Sequence, residues 1–142
     1  MKKLNHNFLE AYRQLDKDCC SKFGVTTGGV TEYINRLNNA RFAPEREDVL
    51  PRLVRYRNMK SRFDHDVGAI RRSDEVSKSD IKWIKTFNRD VNKKRDPISV
   101  YLRKARRYAR RRKIYRALFA CAVVLIVALG LALWYSITNK GI

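Results

Sequence analysis

Residues 117–137 form a run of 21 residues without a charge, and this run limits what the chain can fold into. Its sequence, ALFACAVVLIVALGLALWYSI, has only Gly130 and Ser136 outside the hydrophobic set. As a helix it is about 31 Å long, which matches the hydrocarbon thickness of a bilayer. A core helix of a soluble protein keeps a polar stripe, and this run has none. The run therefore predicts one membrane-spanning helix.

A block of positive charge precedes the apolar run. Residues 103–116, RKARRYARRRKIYR, contain nine cations and no acid, whereas Lys140 is the only cation after the run. Because the cytoplasmic flanks of membrane helices are enriched in Lys and Arg, this asymmetry predicts a cytoplasmic N-terminal side. The pattern is typical of a single-pass, tail-anchored protein of the cell membrane, with a short extracytoplasmic tail at 138–142.

The nine cations point to every side of a helix, so they cannot pack in a core. Beside a membrane span, their simplest partners are the lipid bilayer and its anionic lipid headgroups, with RNA as the alternative anionic partner. A role limited to setting topology is a further alternative. The candidate contact residues are Arg103, Lys104, Arg106, Arg107, Arg110, Arg111, Arg112, Lys113 and Arg116.

The rest of the chain has the composition of a small folded domain. The net charge is +18, but 44% of the 142 residues are hydrophobic, which excludes a disordered polycation. The length leaves room for one small domain with an appendage and excludes a large two-domain enzyme. Apolar residues recur at helical spacing and no alternating strand pattern is present, so the sequence predicts an all-α fold, a small helical bundle.

Local signals predict where the helices begin and end. A first helix is expected to start at a capping pair, Asn7 and Glu10, and to stop at Gly24. A second follows Gly28 and Gly29, and a third covers about 47–64 with a proline, Pro51, in its first turn.

The fourth and last helices have the clearest start signals. Ser77 and Asp80 form a capping box, with Val76 and Ile81 at hydrophobic-staple spacing. Asp96 is the expected N-cap of a helix that starts with a proline at position 97 and has no breaker through residue 137. The predicted organisation is a cytoplasmic helical domain at 1–96, a basic juxtamembrane helix at 97–116, the span at 117–137 and the tail at 138–142. Because the domain core is small, a homodimer is also expected.

Over roughly residues 7–108 the chain resembles a known family. The resemblance is carried by FLEAYRQLDKDC, GVTEYINRL, the segment RYRN…H, and SKSDIKWIKTFNRD…KKRDPISVYLRKARRYA. These segments are similar to a small bacterial helical domain family of unknown function, related to the HEPN superfamily. The superfamily motif is an Arg, a polar residue that is often Asn, and a His a short distance further on. In catalytic, dimeric members the resemblance implies metal-independent RNA cleavage, in which the His handles the 2′-hydroxyl proton and the Arg the phosphate charge.

This sequence departs from that motif in both registers. Seven residues lie between Arg57 and His65, one more than the superfamily motif allows. In the shorter register four residues precede His65, but Lys60 replaces the Arg and a serine replaces the Asn. Lys lacks the planar, two-pronged phosphate grip of Arg, and Asp64 is spaced to pair with Lys60. The catalytic candidates are therefore Lys60, His65, Arg57 and Asn58, against the alternative of a helix-end His beside structural charges.

Other signals for chemistry are weaker. The vicinal pair Cys19 and Cys20 has no matched Cys or His partners, so no metal site and no cofactor are expected, and Cys19 is expected in the core. The sequence favours a binding or interaction module over an enzyme. A membrane-tethered RNA-binding protein or ribonuclease of the HEPN type is the alternative.

Overall fold

The computed structural model of the chain describes residues 3–65 and 75–139. Within these residues it contains no strand and five helices: α1 (Lys3–Phe23), α2 (Gly29–Asn39), α3 (Arg46–His65), α4 (Lys78–Asn92) and α5 (Pro97–Asn139). The all-α prediction is confirmed. The chain divides into two units, Met1–Leu102, a helical bundle, and Arg103–Ile142, which contains most of α5. Lys140, the cation of the predicted tail, lies outside the described residues.

Helix α1 is the centre of the bundle, since it packs against α2, α3 and α4. Phe8, Tyr12, Leu15 and Cys19, which share one face at helical spacing, are buried. The helix ends at Gly24 as predicted, because this residue adopts a left-handed conformation with φ of 69° and its N–H donates to the carbonyl of Cys20.

The predicted start of α1 at Asn7 is wrong. The helix begins four residues earlier, at Lys3. Asn5 is buried in the bundle and Leu4 packs against the core, so tertiary contacts hold the first turn of the helix. The capping pair is therefore inside the helix.

Helix α3 buries the face that its spacing predicts, with Val49, Leu53, Tyr56 and Phe63, and Met59 joins them in the core. It begins at Arg46, so Pro51 lies beyond the first turn, not within it as expected. The proline is exposed, which allows the carbonyl that loses its helical donor to be solvated.

The capping box of α4 is present. The Ser77 hydroxyl accepts from the Asp80 N–H, and the Asp80 carboxylate accepts from the Ser77 N–H at 2.9 Å and from the Tyr56 hydroxyl at 2.9 Å. Burial raises the pKa of Asp80, but these hydrogen bonds outweigh it and leave the pKa below its usual value. Val76 and Ile81 are both buried, as the staple requires.

A buried carboxylate joins three helices at the start of α5. Asp96 is 1% exposed and accepts from the Lys22 ammonium of α1 at 2.6 Å and from the Tyr33 hydroxyl of α2 at 2.8 Å. It also accepts from the Ser99 N–H, which confirms it as the N-cap of α5. Because all three contacts reach one carboxylate, they fix the beginning of α5 on the bundle.

A close backbone contact joins α1 and α2. The Asp16 carboxylate accepts from the Val30 N–H at 2.8 Å and so caps α2 from a neighbouring helix. A β-carbon on Gly29 would lie 2.3 Å from the Asp16 carbonyl and 2.4 Å from the Cys20 amide nitrogen. The second glycine of the Gly28–Gly29 pair is therefore required by packing, and the first by its left-handed φ of 69°.

The first prediction concerns this contact. Gly29→Ala is expected to lower the free energy of unfolding by about 1–3 kcal/mol, because both clashing atoms belong to the backbone and no side chain can move aside. The measurement is urea unfolding of the full chain in non-ionic detergent, followed by fluorescence. Gly130→Ala is the matched control, since nothing lies within 4 Å of its added carbon. Equal stability of the two variants would contradict the packing found here.

The second prediction concerns the buried ion pair. Lys22→Met leaves the Asp96 carboxylate buried without its cation, and is expected to cost about 3–5 kcal/mol in the same unfolding experiment. Tyr33→Phe removes one neutral donor and is expected to cost about 1–3 kcal/mol. Lys17→Met, on an exposed position of the same helix, is the control and should change stability by less than about 0.5 kcal/mol. A Lys22 variant as stable as the control would show that the pair contributes nothing.

Candidate functional site

In the second unit, the apolar part of α5 presents its side chains to the surroundings. Every described residue from 103 to 139 is exposed, including large side chains such as Leu118, Ile126 and Trp134. Among the described residues, this is the one helix long and apolar enough to cross a membrane. An apolar surface of this extent marks an interaction or membrane surface. The helix therefore has the properties of a membrane span.

The collar, defined as residues 103–116, forms the part of α5 just before the apolar surface. Its nine cations are exposed on all sides of the helix, as the sequence predicts. The eight from Lys104 to Arg116 form no ion pair with any described residue. This arrangement leaves these eight cations available to phosphate groups from every direction.

An aromatic line runs along one side of the collar into the apolar part. Tyr108, Tyr115 and Phe119 follow one another at seven and four residues, so they share one face of α5, with Arg112 and Arg116 beside them. Sequence analysis did not place them on one face. Amphipathic aromatic rings prefer the boundary between headgroups and hydrocarbon, which is where this face crosses from cations to apolar residues.

The bundle has a groove between α1, α3 and the loop that precedes α2. Its volume is about 580 Å³. The charged side chains that line it are Arg13, Asp16 and Lys17 from α1 and Arg57, Lys60 and Asp64 from α3, and three threonines, Thr26, Thr27 and Thr31, contribute hydroxyls. Asp16 is engaged with the Val30 N–H and Asp64 with Lys60, whereas Arg13, Lys17 and Arg57 form no ion pair with any described residue.

The structure brings together only some of the catalytic candidates. Arg57 and Lys60 line the groove, and Lys60 pairs with Asp64 at 2.5 Å as its spacing indicates. Asn58 is exposed and does not line the groove. His65 is the exposed last residue of α3 and is also outside the groove lining. Among the described residues, the Arg and His that the motif would combine therefore do not line the same groove.

Two groups near the groove are held in their neutral forms. Burial raises the pKa of the Tyr12 hydroxyl, and the nearby Asp16 carboxylate raises it further. Burial likewise raises the pKa of the Cys19 thiol to about 12. Neither group is set up as a nucleophile at neutral pH, since an activated thiol requires a lowered pKa. Cys19 lies in the core, as predicted.

These features define a class of protein: an α-helical bundle followed by a basic collar and a helix that is able to span a membrane. The chain belongs to the family of unknown function DUF6548, whose family model matches residues 6–117. The match includes α1 from residue 6 onward, the whole of α2, α3 and α4, and all nine cations of the collar. No curated protein and no solved structure matches the chain.

Proposed function

We propose that residues 117–137 anchor this protein in the cell membrane, with the helical domain in the cytoplasm as a binding module and the collar in contact with anionic lipid headgroups. The observation that carries the proposal is the surface of α5, which changes between Arg116 and Ala117 from cations to an exposed apolar helix. In water such an exposed apolar surface is unstable. At a membrane the apolar part of the helix contacts hydrocarbon and the cationic part contacts headgroups.

The magnitudes support insertion. The eleven Leu, Ile, Val and Phe residues of the apolar run each contribute roughly −0.3 to −0.6 kcal/mol at the centre of a span, or about −3 to −6 kcal/mol together. Each collar cation near an anionic surface adds about 1 kcal/mol of attraction, which salt weakens. The excess of nine cations before the run over Lys140 after it favours a cytoplasmic N-terminal side.

The groove of the bundle supports a binding role for the domain. Three of its cations, Arg13, Lys17 and Arg57, form no ion pair with any described residue, and threonine hydroxyls and a backbone turn lie beside them. Such a surface suits a ligand or partner that carries negative charge and accepts hydrogen bonds.

The third prediction tests the anchor. The full chain is expected to float with carbonate-washed membranes in a density gradient. Leu125→Arg combined with Leu129→Arg should release it, because each Arg near the helix centre opposes insertion by about 2.5–3.5 kcal/mol. The matched control combines Leu125→Ala with Leu129→Ala and should stay with the membranes. Wild-type protein that remains at the bottom of the gradient would overturn the proposal.

Orientation is read in the same membranes. An N-terminal epitope tag should be digested by protease added to the cytoplasmic face only. Replacing Arg106, Arg107, Arg111 and Arg112 with Gln should produce a mixture of orientations, since the charge bias is reduced. A tag protected from the cytoplasmic side in the wild type would contradict the proposed topology.

The alternative function, RNA binding or cleavage of the HEPN type, has less support. The net positive charge and the cations of the groove favour contact with RNA. Cleavage additionally requires a base at the reacting hydroxyl, and His65 lies outside the groove that holds Arg57 and Lys60.

The fourth prediction follows from that separation. Full-length protein in detergent, incubated with labelled single-stranded RNA and a metal chelator, should leave the RNA intact, and His65→Ala should behave in the same way. Lys60→Ala is a second variant, inside the groove that His65 does not line, and it should also leave the RNA intact. Cleavage by the wild type that is lost in His65→Ala would establish the ribonuclease alternative instead.

A further inference from the structure

The outer face of α4 carries a row of cations that neither the fold nor the collar explains. Lys78, Lys82, Lys85 and Arg89 are all exposed and line one surface depression. Their spacing of four, three and four residues places them within an arc of about 60° and along about 16 Å of the helix. We call these four residues the α4 basic face.

Within residues 3–65 and 75–139, the α4 basic face has no counter-charge. None of its four side chains forms an ion pair or hydrogen bond with a described residue, although other exposed cations of the bundle do: Arg36 pairs with Glu32 and Arg62 with Glu75. Of the two acids of α4, Asp80 is buried in the capping box and Asp90 is half-buried on another side of the helix. The four cations therefore present one uninterrupted charge of the same sign.

The position of Lys78 opposes the local rules of helix formation. It is the first residue of α4, where the helix dipole disfavours a cation. The four cations also form three neighbouring pairs at spacings of three or four residues, where like charges repel. A face that is unfavourable for the folded chain alone is best explained by an anionic surface outside it.

We propose that the α4 basic face docks the helical domain on the surface of an anionic lipid bilayer, as a second lipid contact in addition to the collar. This inference rests on the proposed anchoring, because a span in the same chain keeps the domain within reach of the headgroups and raises their effective concentration. Four cations in a row on a straight helix match a planar layer of negative charge.

A bilayer fits this face better than a single-stranded nucleic acid. Proteins that bind single strands combine cations with exposed aromatic rings on which bases stack. The aromatic residues of α4 pack against the bundle: the half-buried Trp83 stacks on Phe87 with centroids 4.9 Å apart and contacts Tyr56. Three of the four cations are lysines, which act as hydrated point charges and lack the fork of Arg. Ile81 and Thr86, which lie among the cations, offer no stacking surface.

The fifth prediction is tested by lysine footprinting of the full chain in lipid nanodiscs. One set contains phosphatidylcholine only, and the other contains 30% phosphatidylglycerol, which has no amine. A water-soluble acetylating reagent modifies exposed lysines, and mass spectrometry gives the rate at each position. Lys78, Lys82 and Lys85 should react at least threefold more slowly in the anionic discs, while Lys17 on α1 should not change. Raising the salt to 0.5 M should remove the protection, because the Debye length falls to a few ångströms.

The collar lysines separate this inference from the proposal on which it rests. Protection of Lys104 and Lys113 without protection of the α4 lysines would overturn docking and leave the anchor intact. Absence of protection at all five lysines would contradict the collar contact as well. Protection of the α4 lysines by added RNA in neutral discs, exceeding that by anionic lipid, would also overturn docking and assign the face to nucleic acid.

Variants provide an independent measurement. Lys82→Gln, Lys85→Gln and Arg89→Gln together should make the remaining Lys78 react equally fast in both kinds of disc. The matched control, Lys3→Gln, Arg41→Gln and Arg95→Gln, removes the same charge from other exposed positions and should keep the protection of Lys78. All six positions are exposed and none takes part in an ion pair with a described residue, so both variants should fold. Loss of protection in both variants would show that total charge matters and the face does not.

Discussion

The Asp96 carboxylate is the interaction on which the arrangement of the bundle depends. A fully buried carboxylate is tolerated only when cations and donors compensate for the water it has lost. Here the compensation comes from Lys22 of α1 and Tyr33 of α2, and the backbone N–H of Ser99 completes it. Apolar packing by a neighbour such as Ile98 would tolerate small shifts of α5, whereas a charged hydrogen bond of 2.6 Å does not. The residue that caps α5 is therefore also the residue that determines where α5 begins on the bundle.

How much of the fold could be predicted depended on the distance in sequence between interacting residues. Gly24, the Ser77–Asp80 box and the cap at Asp96 were predicted because their partners lie within five residues. The caps that act between helices were not. Asp16 caps the N-terminus of α2 at Val30, fourteen residues further along the chain, and no local sequence pattern predicts this contact. The start of α1 was missed for the same reason, since its first turn packs in the bundle through Leu4 and Asn5.

The candidate site shows where a helical wheel stops being informative. On a helical wheel Lys60 falls on the apolar face of α3, beside the buried residues Met59 and Phe63. Whether a residue on that face is covered depends on the helix packed opposite it. Next to Lys60 the bundle opens into the groove, so Lys60 reaches solvent and pairs with Asp64. The α4 basic face was visible in the sequence as four cations at helical spacing. The apolar stripe on the other side of the same helix is the stronger signal in the sequence and predicts only the packing of α4.

The two basic surfaces of the chain differ in chemistry, and this difference suggests different depths at a membrane. Seven of the nine collar cations are arginines, and aromatic residues such as Tyr115 lie among them. Guanidinium groups are weakly hydrated and bind phosphate in two-pronged fashion, so they can sit within the headgroup layer. The α4 basic face is mostly lysine, whose ammonium groups keep their water, so on the proposed docking they would remain at the outer edge of that layer. Charges in contact with phosphates are screened less by salt than charges across a layer of water. Moderate salt should therefore release the domain from the surface while the collar stays bound, which would make docking the adjustable contact and the anchor the permanent one.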